Sequence, residues 1–252
     1  MGQGATAAAF DFAAHSRKVN VGCGQDHKAG YLNVDFKQYH QPDVLADVRE
    51  LAGFPDAFFE EVFACDVLEH LPRVETANVL ATWNRVLAPG GRLYIRAPSV
   101  AGVIDLINHP DYQTVEKQEL VIQCLFGTQA DTGDFHLTGF TDITMRNYVT
   151  QAGFRVESLA TRDYWLFDVW ATKVGEPADE TARLYARLCA IADPVRFVTE
   201  CYRRVLGREP DAGGLTHHVE NVASGRHART DVVHIFLHSP EAEKRREEPR
   251  PA

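Results

Sequence analysis

Residues 17–35 read RKVNVGCGQDHKAGYLNVD, and this stretch decides the fold. An apolar run holding Val19 and Val21 stops at Gly22-Cys23-Gly24, and a second short run, Tyr31 to Val34, ends in Asp35. A buried strand, a glycine turn and a second strand closing on a carboxylate form the nucleotide-binding edge of a doubly wound α/β sheet. Glycine lets the main chain turn sharply and approach a ligand with no Cβ in the way. The strand-end carboxylate can accept hydrogen bonds from both hydroxyls of a ribose. The dinucleotide fingerprint GxGxxG needs a third glycine where His27 stands, and its acid lies ~20 residues on, not the eleven or so found here. A nucleoside without pyrophosphate fits the turn better than a dinucleotide.

Outward from this edge the chain continues in the same style. Gln25 to Gly30 leave little room for a helix, so the first crossover is expected to be a loop. Asp43 to Asp47 (DVLAD) predicts a third strand, again ending in an acid, followed by Val48. A carboxylate there can accept from an adenine amino group, or simply cap a turn. Glu61 to Asp66 predicts a fourth strand, Val74 to Leu87 a helix stopped by Pro89-Gly90-Gly91, and Arg92 to Ala97 a fifth strand. The candidate binding residues thus collect at the carboxyl ends of strands, where open α/β sheets bind ligands. Val100 to Ile107 and Val115 to Phe126 are helix-like; a further helix starts at Thr141-Asp142 and ends at Gly153. Phe154 to Ala160 and Tyr164 to Ala171 alternate as a closing strand pair. The fold class is therefore α/β: a Rossmann-like doubly wound sheet of about seven strands with the last pair antiparallel, followed by a small all-α domain.

VNVGCG, YLNVD, FACDVLEHL and VLAPGGRL, in that order, resemble the class I S-adenosylmethionine-dependent methyltransferases. More narrowly, residues 17–160 resemble a bacterial subgroup associated with surface-polysaccharide biosynthesis, including a late LFG-Q…DFH-x-x-GF stretch. The resemblance implies S-adenosylmethionine as cofactor. Gly22 and Gly24 would lie against its methionine part, Asp35 on the ribose, Asp47 with Val48 at the adenine, and Asp66 beside the amino-acid end. Cys23, between the glycines, would belong to this cofactor-binding turn as a variant residue and not as a nucleophile.

Methyl transfer from a sulfonium is a direct displacement, so the protein must align nucleophile, methyl carbon and sulfur. A sugar hydroxyl also needs a proton acceptor, typically worth about 10²–10⁴-fold. Histidines near the strand ends are the candidates: His136, with Asp134 expected to orient its ring, and then His70. A loop-fixing role for His136 and a structural hydrogen bond for His70 are the plainer alternatives. Glu69 either holds one of these histidines or is solvated. The spacing of Asp134, His136 and His70 carries no metal signature, so no metal is expected. Asp134, His136 and Thr138 would share one face of an extended segment.

The net charge of −9 (26 basic, 35 acidic residues) argues against a large nucleic-acid footprint. No apolar run reaches the ~18 residues of a membrane span. The N-terminus matches a loose myristoylation pattern through Gly2 and Thr6, although a frayed leader explains it as well. Five scattered cysteines without CxxC spacing indicate a reducing compartment, hence a cytoplasmic location. Residues 1–16 are expected as a flexible leader, 17–175 as the methyltransferase domain, 176–193 as a connecting helix, 194–244 as a helical accessory domain, and 245–252 as a disordered tail.

Residues 194–243, with LGREPD…GL…SPE, resemble a helical domain of unknown function similar to phycobilisome-linker helices. That resemblance implies a surface for a protein partner or self-association. His234 and His238 stand at i, i+4, a spacing able to chelate zinc, but without an acid or cysteine companion they are expected to be solvated. The acceptor is expected to be a glycan or glycolipid sugar hydroxyl, with a small-molecule acceptor as the alternative. A scaffold that binds cofactor without turnover is the reading from another class.

Overall fold

The computed structural model describes residues 5–7, 10–130 and 133–247. Its centre is one eight-stranded sheet. In chain order the strands are β1 (Ala5–Thr6), β2 (Lys18–Val21), β3 (Leu32–Asp35), β4 (Val44–Leu45), β5 (Phe59–Cys65), β6 (Leu87–Pro98), β7 (Phe154–Arg162) and β8 (Leu166–Lys173). Their order across the sheet is β1-β4-β3-β2-β5-β6-β8-β7. β1 to β6 pair in parallel, and β8 inserts antiparallel between β6 and β7. The expected seven strands are present, and a two-residue edge strand within the leader makes the eighth. The leader also delivers Phe12 into the core, so its described part is not loose. Gly2 of the myristoylation pattern lies outside the described residues.

β3 is buried at all four positions, as a parallel strand covered on both faces must be. The link from β2 to β3 contains no helix. The Asn33 side chain holds this short crossover in shape, its Oδ1 accepting from Lys28 N at 2.8 Å and from Asn20 Nδ2 at 3.0 Å. β4 is shorter than the expected third strand. Ala46 N still donates to Asp35 O, but Asp47 has already turned away to bond Arg49. The Pro89-Gly90-Gly91 turn lies inside β6 as an irregularity in its pairing with β5.

Helix α1 (Thr76–Val86) packs on the sheet through Val79, Leu80, Trp83 and Val86. The Lys173 ammonium donates to the Asn84 and Leu87 carbonyls at 2.7 and 2.8 Å, placing a cation where the α1 dipole ends. After β6 come α2 (Val100–Asn108) and α3 (Val115–Phe126), which share a small apolar cluster of Val103, Leu106 and Val121. α4 (Asp142–Gln151) starts at a Thr141 capping box and is followed by Gly153 at φ +85°.

The C-terminal helices are α5 (Glu180–Cys189), α6 (Pro194–Cys201, prolonged by a π turn to Leu206), α7 (Ala212–Ala223), α8 (Arg229–Leu237) and α9 (Pro240–Glu247). Phe197, Cys201, Tyr202, Val233 and Phe236 form their core. α5 serves both cores: Ala182 and Ala186 pack on Ala81 of α1, while Tyr185, Leu188 and Cys189 join the helical cluster. Glu50 closes the junction, accepting from Thr230 N at 3.2 Å and pairing with Arg229 at 3.4 Å. Residues 245–247, expected as disordered, belong to α9; Arg245 donates to the Val205 carbonyl at 3.0 Å. Residues 248–252 lie outside the described residues.

Candidate active site

At the carboxyl edge of the sheet lies a cleft of about 610 Å³, within the usual range for small-ligand sites. Its wall includes Gly22, Gly24, Asp35, Asp47, Val48 and Asp66, which come from four separate stretches of sequence. Both glycines have positive φ, +67° and +52°. A Cβ on Gly24 would meet nothing within 4 Å, so the main chain there borders open space. On Gly22 it would sit 2.8 Å from Val67 Cγ2. Cys23 does not line the cleft: its side chain is buried, and burial, followed by the Asp35 charge, pushes its thiol up to about 12. Such a thiol is no nucleophile near neutral pH.

Asp35 is 4% exposed and well held. Its Oδ2 accepts from Gly24 N at 2.9 Å, its Oδ1 accepts from Lys37 N at 2.8 Å, and His40 Nδ1 stands 3.2 Å away. Asp47 is gripped by Arg49, whose Nη2 donates to Oδ2 at 2.7 Å and which also reaches Glu75. Val48 is fixed through its carbonyl, which accepts from Trp83 Nε1 at 3.0 Å. Asp66 has φ +55°, a backbone state few non-glycine residues adopt. Arg96 stabilises it, donating through Nε to Oδ1 at 2.9 Å and bonding Oδ2 through Nη2. Arg49, Arg96 and His40 escaped the sequence reading. Arg49 stands two residues from its acid and was visible in principle, whereas Arg96 meets Asp66 only through the β5–β6 register.

The opposite wall joins two stretches far apart in sequence. The turn at Leu68–His70 takes the 134–138 segment onto its backbone: Leu137 N and Thr138 N donate to Glu69 O at 2.6 and 3.1 Å, and Thr138 Oγ1 donates to Leu71 O at 2.7 Å. Gly127, at φ +77°, lets this segment fold back on the end of α3, because a Cβ there would overlap the Asp134 carbonyl oxygen. Asp134 and Leu137 line the cleft, but the expected common face of Asp134, His136 and Thr138 does not form. Thr138 is buried against the Leu68–His70 turn.

His70 lines the cleft and His136 stands behind it, with ring centroids 4.9 Å apart at 78°. The expected orientation of His136 by Asp134 is not what holds the ring. His136 Nδ1 lies 3.1 Å from the Cys124 carbonyl, and the Asp134 carboxylate is bonded by Thr128. His70 Nδ1 lies 3.2 Å from the Phe135 carbonyl. A ring nitrogen facing a carbonyl must carry the hydrogen, which leaves Nε2 of each neutral ring as the lone-pair nitrogen. Burial, reinforced by neighbouring His70, lowers the His136 pKa and favours this neutral form. Glu69 is neither solvated nor bonded to a histidine: it is 1% exposed, and its Oε2 is buried without a hydrogen-bond partner. Burial, then the Asp66 charge, pushes its carboxyl well up.

The family model described as a methyltransferase domain matches residues 1–95, which hold the glycine turn and the acids at the ends of β3, β4 and β5. This stretch is therefore similar to a methyltransferase domain, and the sheet order and the cleft agree with that likeness. Residues 185–246 match a domain of unknown function (DUF4214). No curated protein matches the chain. Among solved structures, an S-adenosylmethionine-dependent methyltransferase from Methanosarcina mazei is 18% identical at TM-score 0.47, covering 63% of this chain and 92% of that one. The 1,6-didemethyltoxoflavin-N1-methyltransferase of Burkholderia thailandensis, with its substrate and S-adenosylhomocysteine bound, is 15% identical at TM-score 0.42, covering 63% and 71%. A possible exported protein from Bordetella parapertussis is 16% identical at TM-score 0.44; the match covers 64% of this chain and 61% of that one, less than two thirds of its length. Among the described residues no helix is long and apolar enough to cross a membrane.

Proposed function

We propose that this chain binds S-adenosylmethionine and uses it to O-methylate a sugar hydroxyl of a bacterial glycan or glycolipid precursor. The observation that carries the reading is the pair of His70, on the wall of the cleft that holds the strand-end acids, and His136 behind it, each with its Nδ1 atom facing a backbone carbonyl. The acid side of the cleft fits the cofactor. Main chain at Gly22 and Gly24 borders the methionine part, Asp35 takes the ribose hydroxyls, Asp47 and Val48 flank the adenine, and Asp66 stands by the amino-acid end. Asp47 is already paired with Arg49, so its contribution there is shape and a spare lone pair more than free charge.

When bound, the cofactor supplies an electrophilic methyl group on a sulfonium. The acceptor oxygen would bond the methyl carbon as the carbon–sulfur bond broke, with its electron pair left on sulfur, and the hydroxyl proton would have to go to a group of this chain or to water. An amine acceptor needs only to be unprotonated, whereas a hydroxyl needs this help, worth about 10²–10⁴-fold. The histidine pair would give it, His70 from the cleft wall and His136 from behind it. The sugar assignment is supported by the likeness of residues 17–160 to methyltransferases associated with surface polysaccharides. The C-terminal helices, similar to phycobilisome-linker helices, would dock a protein partner or a second copy.

Incubating the protein with methyl-labelled cofactor and a cell-envelope extract tests this. Label in polysaccharide or glycolipid is the expected result. Label confined to small metabolites would move the acceptor to that class, and cofactor binding without transfer would make the chain a scaffold. His70→Ala is expected to keep S-adenosylhomocysteine binding and lose at least about 10²-fold in turnover.

A further inference from the structure

We infer that Glu69, His70 and His136 form a binding site for a first-row divalent transition metal ion at the acceptor wall of the cleft. One ligand-capable atom from each residue lies within 4.8 Å of the other two. The backbone has prepared the histidines for this role. Carbonyls of Phe135 and Cys124 engage their Nδ1 atoms, as carbonyls do behind metal-bound imidazoles, and leave Nε2 as the ligating nitrogen. The third member supplies an independent sign. Glu69 is 1% exposed, and its Oε2 has no hydrogen-bond partner in a protein whose other site acids are all bonded. A buried carboxyl oxygen left unbonded costs free energy, and a cation binding there would meet it in place of the carboxyl proton. Two imidazoles and a carboxylate suit zinc, iron or cobalt, and leave coordination positions for an oxygen ligand.

The site was not legible as a motif because Glu69 and His70 are adjacent while His136 arrives on another loop. What unites them is the pair of hydrogen bonds from Leu137 N and Thr138 N to the Glu69 carbonyl. The inference rests on the reading above that this wall faces the acceptor. A cation there takes the acceptor oxygen as a further ligand, so that its proton is lost to water more readily. With the ion bound, the histidines act through it instead of taking the proton themselves.

The test is Co²⁺ and Zn²⁺ binding to the full chain, in a His234→Ala, His238→Ala background that removes the exposed histidine pair at the C-terminal end of α8. One equivalent of Co²⁺ with visible d–d absorption, displaced by Zn²⁺, is the expected result. Glu69→Gln and His136→Ala should each weaken binding by at least about 100-fold, since even outer-sphere partners of a metal are worth 10–100-fold. A protein that stays folded by circular dichroism yet binds less than one equivalent overturns the proposal, and so do variants that keep the parent affinity. S-adenosylhomocysteine calorimetry on the same samples keeps the two readings apart. Cofactor binding without metal sinks the metal site alone, and metal binding without cofactor sinks the methyltransferase reading of the cleft.

Discussion

Gly24 N donates to Asp35 Oδ2 at 2.9 Å, so the glycine turn after β2 and the acid ending β3 are one mechanical unit. Removing the carboxylate removes both the proposed ligand for the ribose and the tether that shapes the turn. Asp35→Ala is expected to weaken S-adenosylhomocysteine binding by at least roughly 100-fold, the loss of two charged hydrogen bonds at about 1.5–3 kcal/mol each. Titration calorimetry checks this, and affinity close to wild type would refute the assignment.

The two glycines of the turn should separate binding from stability. At Gly24 a methyl group points into open space, so Gly24→Ala pays only the left-handed backbone cost of about 1–2 kcal/mol while obstructing the cofactor. At Gly22 the same cost is joined by a contact of 2.8 Å with Val67. Thermal melts should show the larger loss for Gly22→Ala. Calorimetry should show Gly24→Ala losing affinity out of proportion to its melting temperature.

Gly127 governs the other wall. Gly127→Ala forces a methyl group onto the Asp134 carbonyl and displaces the segment that carries His136. Cofactor binding on the acid side should survive within about a factor of three, because among the described residues of the 127–136 loop none bonds Asp35 or the glycine turn. Methyl transfer should fall by at least about 10²-fold, the contribution of the proton-handling group. Comparable loss of binding and of turnover would show that the two walls are not independent.

Glu50 makes the junction between the sheet domain and the helices sensitive to pH. Burial, then the Asp47 charge, raises its carboxyl pKa in spite of the Arg229 partner. A carboxyl raised by folding contributes stability that is complete below its unfolded pKa and is lost as pH climbs through the folded value. Wild type should therefore exceed Glu50→Gln in denaturant stability by more at pH 4 than at pH 7. An equal gap at both would mean that Glu50 does not titrate differently on folding.

Much of the fold was legible because its signals are local. The ends of α3, the Thr141 cap and the acids closing β3 and β5 depend on residues within a few positions of one another. The third strand was overestimated because Asp47 is claimed by Arg49 before the ladder can extend, a side-chain competition that hydrophobic spacing does not register. Asp134 was assigned to His136 because alternation brings them near, but Thr128 reached the carboxylate first.

The sequence by itself determined the Gly-x-Gly turn, the acid that follows or ends each of β3, β4 and β5, and the change from alternating to helical periodicity after the last strand pair. Each follows from backbone freedom or side-chain spacing within a single element. Only the tertiary structure decided the ionic partners and the second wall. Arg96 meets Asp66 across 30 residues, Phe135 meets His70 across 65, and Thr230 meets Glu50 across 180. Such pairs form when strand register and packing bring distant backbones together, and nothing in the composition of either segment names its partner. The buried, unbonded oxygen of Glu69 is likewise a product of that packing.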